Sequence, residues 1–411
     1  MTELKRRTRT WIPIAGVLAG AGWGSNQFTP MLLVYHARLG LSTATLEALF
    51  GAYAAGLIPG LLLTGWWSDS HGRRPVGIAA AVLSLLASVS LIAGAHALVL
   101  LFAGRLLAGL GSGAAFGVGT AWLRETSLPP FGNADHATVA RRAAVAMTVG
   151  FSLGPLVAGM LAQWSPAPTV VPYLAHIALM VGVLASLRGV PETLSARTHS
   201  RVAARLPEAS LRRFRRLVVP MAPWVFAAPA IAFALLPSIV GAGHAQDGIA
   251  VTAGVTSLTA LAGVLIQPVA RRLEVGARDQ AGSMVGLLVL AVGLALAALA
   301  AGERETWLLW PCALVLGSAY GLCLVAGLLE VQRLAPERAL GTLTAAYYAF
   351  TYIGFAAPYL MTLASGATSY AVLLLIASGL ATLTAGVVRR GAMRPAEPAL
   401  QAVPGARLGN H

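Results

Sequence analysis

The chain has 411 residues, 57% hydrophobic and 11% charged, where an ordinary soluble domain carries about 25% charged residues. That balance excludes a water-soluble globular protein, whose core would have to exceed what one domain can build. The net charge of +14 does not point to nucleic acid either, because the arginines lie between apolar runs and not along one polar face.

A membrane-crossing helix needs about 20 mostly apolar residues. The first such run, 11–34, follows MTELKRRTRT without a small-residue cleavage site, so it reads as a retained span and not a signal peptide. Runs at 45–67, 75–96, 98–122, 143–163 and 170–187 complete a first set of six. A second set follows at 217–240, 248–269, 281–301, 306–329, 340–364 and 369–388. Runs this long, without alternation, predict helices and not barrel strands. Pro229 and Pro237 are predicted to break the seventh. The expected fold class is therefore all-α integral membrane, with twelve transmembrane helices.

The domain reading places an N-terminal six-helix bundle at 1–190, a central loop at 191–216 and a C-terminal six-helix bundle at 217–390. Residues 391–411, rich in proline, glycine and alanine, are expected to form a disordered cytoplasmic tail. With the N-terminus placed in the cytoplasm, 26 of the 29 basic residues fall on that side. Arg38 and Arg304 fall outside, and Arg105 lies within the fourth helix. Both termini are expected in the cytoplasm. Arginine outnumbers lysine 28 to 1, which reads as the mark of a GC-rich bacterial genome and no more; the expected location is the bacterial inner membrane. Cys312 and Cys323 share one apolar run and read as small hydrophobic residues, with no metal site expected.

The stretch TGWWSDSHGRRPVG, 64–77, concentrates charge between the second and third runs. One half later, GVLIQPVARRLE places Gly263, Gln267, Ala270, Arg271 and Arg272 at the spacing of Gly65, Asp69, Gly72, Arg73 and Arg74. The offset is 198 residues, the trace a duplicated six-helix unit would leave. The pattern of Gly65, Asp69, Gly72, Arg73 and Arg74 resembles the helix 2–3 signature of the major facilitator superfamily. FAGRLLAGLGSGAA resembles the family's arginine motif at Arg105, and GFSLGPLVAG its antiporter-type motif at Gly150, Gly154, Pro155 and Gly159. PET at 191–193 resembles the usual exit from the sixth helix. There are departures: Ser70 stands where the signature has a base, Ala158 replaces a glycine, and Gln267 replaces the second aspartate.

The resemblance implies two pseudo-symmetric six-helix bundles and alternating access. It further implies a latch in which Asp69 and its arginines hold the two halves together on the cytoplasmic side. Glu330 joins the latch set, since Glu125 and Glu330 at the ends of the fourth and tenth helices are expected to pair with loop arginines. Physically, an arginine inside a span costs at least ~2.5–3.5 kcal/mol, so Arg105 should face protein or water. The resemblance implies that the first and fourth helices adjoin, and at its depth Arg105 would then meet the first through Asn26, Gln27 or a backbone carbonyl. Substrate-cavity candidates are Asn26, Gln27, Arg105, Tyr348 and Tyr352. No acid lies deep in a helix, so proton-coupling candidates are Asp69, Glu47 and Arg105, while His176 reads as structural.

The reading is a secondary transporter, not an enzyme, exporting a hydrophobic or amphipathic drug-like molecule by proton antiport. It would need no cofactor beyond the proton gradient, and its partners would be the substrate and the bilayer, with the chain a monomer. An uptake permease or uniporter of the same fold is the alternative. An intramembrane enzyme would need paired catalytic groups at depth, and His176 has no partner placed by spacing.

Overall fold

The computed structural model describes residues 10–193, 208–241, 246–275, 280–335 and 340–393. Within them Gly65, Trp66, Asp69, Val275, Gly341 and Thr342 are placed as backbone only. The expected tail from 394 and most of the central loop, 194–207, lie outside the described residues.

Twelve helical spans run in the order read from hydropathy. The first half comprises α1a (Trp11–Asn26), α1b (Phe28–Leu39), α2 (Thr43–His71), α3 (Arg73–Ala93), α4 (Leu98–Ser127), α5 (His136–Trp164) and α6 (Val171–Leu187). The second comprises α7 (Glu208–Val240), α8a (Gly248–Leu265), α8b (Gln267–Val275), α9 (Ala281–Glu303), α10 (Leu309–Leu334), α11a (Leu340–Tyr352), α11b (Ala357–Ala364) and α12 (Tyr370–Ala392). Among the described residues nine helices are each long and apolar enough to cross a membrane. The other three predicted spans are α1, broken at Gln27, α11, interrupted by a 3-10 turn over Ile353–Ala356, and the 17-residue α6.

Local chemistry starts and stops these helices. The Ser42 hydroxyl accepts from Thr45 N–H to open α2, and Asp135 Oδ1 accepts from Thr138 N–H at 2.6 Å to open α5. The Thr138 N–H bond holds the Asp135 carboxyl below its ordinary range. Gly40, at φ +63°, ends α1b in the left-handed conformation. The expected break of the seventh helix does not occur. Its prolines are absorbed by π-helical turns at Phe214–Val218 and Ile231–Leu235, so α7 stays continuous from Glu208 to Val240.

Small residues let the backbones close. A Cβ on Gly109 of α4 would lie 2.0 Å from the Tyr53 carbonyl of α2, and one on Gly113 2.4 Å from that of Leu57. The second half repeats this pairing, with Gly317 and Gly321 of α10 against Thr259 and Gly263 of α8a. Outward, α12 presents Leu375, Ile376, Leu380 and Leu383, each at least half exposed, a surface suited to lipid and not water. The halves meet along α5 against α8a and along α2 against α11. Trp11 stacks under Arg142 at the start of α5, and Gly391 abuts Leu217 at the start of α7. This arginine-rich end is called the basic face below.

Candidate functional site

Arg105 is the organising charge. It is 1% exposed, and its guanidinium donates to three backbone carbonyls: Leu49 (3.1 Å), Phe50 (3.3 Å) and Ser25 (3.3 Å). It thus ties α4 to both α1a and α2. Phe28 lies 4.3 Å and Tyr53 4.8 Å from its central carbon, so aromatic faces cover what the carbonyls leave. Of the partners weighed from sequence, the α1 carbonyl is the one made. Neither Asn26 nor Gln27 supplies it.

Those two side chains go elsewhere. Asn26 Nδ2 donates to the Phe151 carbonyl on α5 at 3.3 Å. Gln27, at the α1 break, donates through Nε2 to Ser88 Oγ on α3 (3.1 Å), and Ser88 lies 2.8 Å from His176 Nδ1. His176 Nε2 lies 3.0 Å from the Gly20 carbonyl. An Nε2–H tautomer satisfies every link, because that nitrogen donates to the carbonyl and Nδ1 accepts from Ser88. The chain joins α1, α3 and α6 and gives His176 the structural place expected of it. Spacing could not find it, because its members lie 61 and 88 residues apart.

Where the halves face one another, the packing is aromatic. Phe50 and Tyr53 of α2 meet Phe355 at the α11 turn, and Phe50 meets Phe233 of α7 edge-on. Phe226 of α7 stacks on Tyr352 at 4.4 Å between ring centres and on Phe355 at 5.1 Å. Tyr348 stacks in turn on Tyr352. The two tyrosines picked out by helical spacing are therefore part of this cluster, while Phe50, Phe226, Phe233 and Phe355 were not found from sequence. Tyr347 turns away, donating to the Leu324 carbonyl at 3.1 Å. Glu47, near the start of α2, is 1% exposed, and its Oε2 has no hydrogen-bond partner.

The glycines of α5 divide between partners. Gly150 and Gly154 face α1a, where a Cβ would lie 2.1 Å from the Ala19 carbonyl and 2.6 Å from Trp23 Cα. Gly159 faces the other half, where a Cβ would lie 2.3 Å from Ala253 Cβ of α8a. Pro155 sits between them inside a continuous helix. Beside Gly159, Gln163 donates to the Gln246 carbonyl (2.9 Å) and accepts from Ala250 N–H (3.2 Å), and Ser257 donates to the Ser152 carbonyl (2.7 Å). This α5–α8a contact was not foreseen.

At the basic face, Gly72 (φ +102°) separates α2 from α3. Arg73 and Arg74 N–H groups both donate to the Glu192 carboxylate at 2.9 Å, capping α3 from the PET segment. A Cβ on Gly72 would lie 2.4 Å from Glu192 Oε2, so the glycine is required by both conformation and room. Arg73 Nε donates to Glu125 of α4 at 3.3 Å, and Thr193 closes the ring by donating to the same carboxylate. The side chain of Asp69 and the surroundings of Gly65 lie outside the described residues. Glu330 sits in the second half, accepting from Arg213 of α7 and Gln280, each at 2.7 Å. It joins no described contact with the first-half cluster. Both glutamates pair with arginines, Glu125 with Arg73 and Glu330 with Arg213, which stand on α3 and α7 and not in the loops where the sequence placed them.

The family model for the Major Facilitator Superfamily matches residues 14–359. Multidrug resistance protein MdtL of Klebsiella pneumoniae is 41% identical over 88 residues, 21% of this chain and 22% of that protein. The Escherichia coli K12 protein of the same name is 42% identical over 92 residues, 22% and 23% of the two chains. Less than a quarter of these curated relatives is thus matched. In solved structures, a POT family transporter in complex with 5-aminolevulinic acid superposes with a TM-score of 0.76 at 13% identity, covering 94% of this chain and 96% of the other. The nucleoside transporter NupG superposes at 0.70 and 14%, covering 94% and 99%. At such identities these likenesses speak for the fold. With its duplicated six-helix halves, its basic-face signature and a family match along most of its length, the chain belongs to the Major Facilitator Superfamily.

Proposed function

We propose that this transporter exports a hydrophobic or amphipathic, drug-like small molecule by proton antiport, with the basic face in the bacterial cytoplasm. The observation that carries the reading is the junction of the halves, where Phe50, Tyr53, Phe226, Phe233, Tyr352 and Phe355 cluster. The charge beside it, Arg105, already has three carbonyls for partners. An aromatic surface of this kind, opened when the halves part, suits apolar and cationic rings better than a sugar or an anion. The partial match to multidrug resistance proteins supports the same substrate class.

Glu47 is the proton carrier in this reading, since it is a carboxyl buried near the start of α2 whose Oε2 has no hydrogen-bond partner. It ranks above Asp69, which serves in the basic-face latch with Gly65, Gly72, Arg73 and Arg74. Arg105 positions α1 and α2 around the substrate path and does not itself carry the proton. The chain acts as a monomer, drawing on the proton gradient without a cofactor.

The test uses purified protein in liposomes loaded with a pH-sensitive dye, to which lipophilic cations and neutral antibiotics are added singly. Proton movement that depends on a compound and vanishes in Glu47→Gln supports the reading. Compound flux without proton movement, unchanged in Glu47→Gln, overturns the antiport and leaves a uniporter.

A further inference from the structure

On the outer surface of the first half, where α3 and α6 emerge at the basic face, lies a pocket of about 390 Å³. Arg74, Ile78, Val181, Leu184, Ala185 and Arg188 line it. We propose that it binds the phosphodiester headgroup of an anionic phospholipid, with one acyl chain lying along the apolar surface of α3 and α6.

Three observations carry this. The first is charge: among the described residues both polar members of the lining are arginines and none is acidic. The nearby Glu192 carboxylate already accepts from the Arg73, Arg74 and Thr193 N–H groups. The second is an unmet donor. Arg74 Nη2 donates to the Arg188 carbonyl at 3.1 Å, but its buried Nε has no hydrogen-bond partner. Its Nη2 edge is held by that carbonyl, and because Arg74 lines the pocket, the remaining Nη1 edge is the one a phosphate oxygen can meet. Third, Val82, Leu86 and Val89 of α3 and Leu174 and Val181 of α6 are all exposed, the surface an acyl chain needs. The level also fits, because a basic pocket between helices at the membrane edge is where anionic headgroups lie.

A lipid seated here would touch the turn that carries the latch. Arg74 follows Arg73, which is paired with Glu125, and Arg188 precedes the PET segment that caps α3. Anionic lipid would thus favour the arrangement in which α3, α4 and the α6 exit are joined.

The experiment is native mass spectrometry of the full-length protein in detergent, given equimolar phosphatidylglycerol and phosphatidylethanolamine. Preferential retention of one phosphatidylglycerol is expected. Arg188→Gln, at an exposed position, should weaken that retention about fivefold, from about 1 kcal/mol per basic residue at a membrane surface. Val181→Trp, which fills the pocket and leaves both charges, should weaken it as much. Arg271→Gln, an exposed arginine of the other half, should leave it unchanged. Equal loss in Arg271→Gln, or none in Val181→Trp, would reduce the effect to general surface charge and overturn the site. Displacement of the lipid by millimolar inorganic phosphate would assign the pocket to a free anion and overturn the lipid.

Discussion

At the basic face of the first half, the arginine stands on the third helix and the glutamate on the fourth: Arg73 of α3 donates to Glu125 of α4. In the second half the arginine stands on the fourth helix and the glutamate at the end of α8b, just before the third. Arg333 of α10 donates at 3.1 Å to Glu274, the residue whose Oε1 also accepts from Gly282 and Ser283 N–H to cap α9. Both halves therefore place a carboxylate at the start of their third helix, where free N–H groups need acceptors. The sources differ. Glu192 comes from beyond α6, 119 residues along from Arg73, whereas Glu274 lies only eight before Gly282. The first-half cap is thus broken by any motion that parts α6 from α3, while the second-half cap travels with α9. The first half carries the conditional joint and the second a standing brace.

The most damaging test of this contrast is Glu330→Ala. Glu330 is 1% exposed and is held by Arg213 and Gln280, so its loss should cost about 3 kcal/mol in thermal unfolding. A loss under about 1 kcal/mol would deny that Glu330 fastens α7 to the start of α9 beside that brace. Next comes Gly72→Ala, where positive φ and the Glu192 contact should cost about 1–3 kcal/mol. Gly282→Ala should cost less, since its backbone is helical and only the Glu274 side chain stands in the way. Equal losses at the two glycines would break the comparison.

Glu192→Gln should cost roughly 1 kcal/mol and loosen α6 from α3. Hydrogen exchange should then rise at the start of α3 while the start of α9 stays protected. Smaller still is the Arg73–Glu125 pair, a third exposed at the glutamate, whose double-mutant cycle should give about 0.2–1 kcal/mol. Arg271→Gln with Arg272→Gln should change stability by less than about 0.5 kcal/mol. A larger effect would show that the repeated arginines are working parts of both halves.

That last pair marks where sequence reasoning ran past the fold. Arg271 and Arg272 match Arg73 and Arg74 in spacing, yet α8b continues beyond the kink at Ile266 and leaves both exposed. In the first half Gly72 stops the helix just before the arginines, so they open α3 and meet Glu192. The match in letters concealed a difference in where the helix ends. Glu192 itself was visible in the PET segment but read only as an exit, because a cap made across 119 residues has no local signature.

From sequence alone came the spans, their number, the basic end and the isolation of Arg105. These rest on hydropathy and charge, which belong to each residue and survive any packing. Tertiary structure alone decided that Arg105 reaches the Leu49, Phe50 and Ser25 carbonyls, since every residue carries a carbonyl and none advertises that it will be met. It likewise decided that Gly159 touches the opposite half while Gly150 and Gly154 do not. A glycine permits close approach, but which helix approaches is settled by how the two bundles come together.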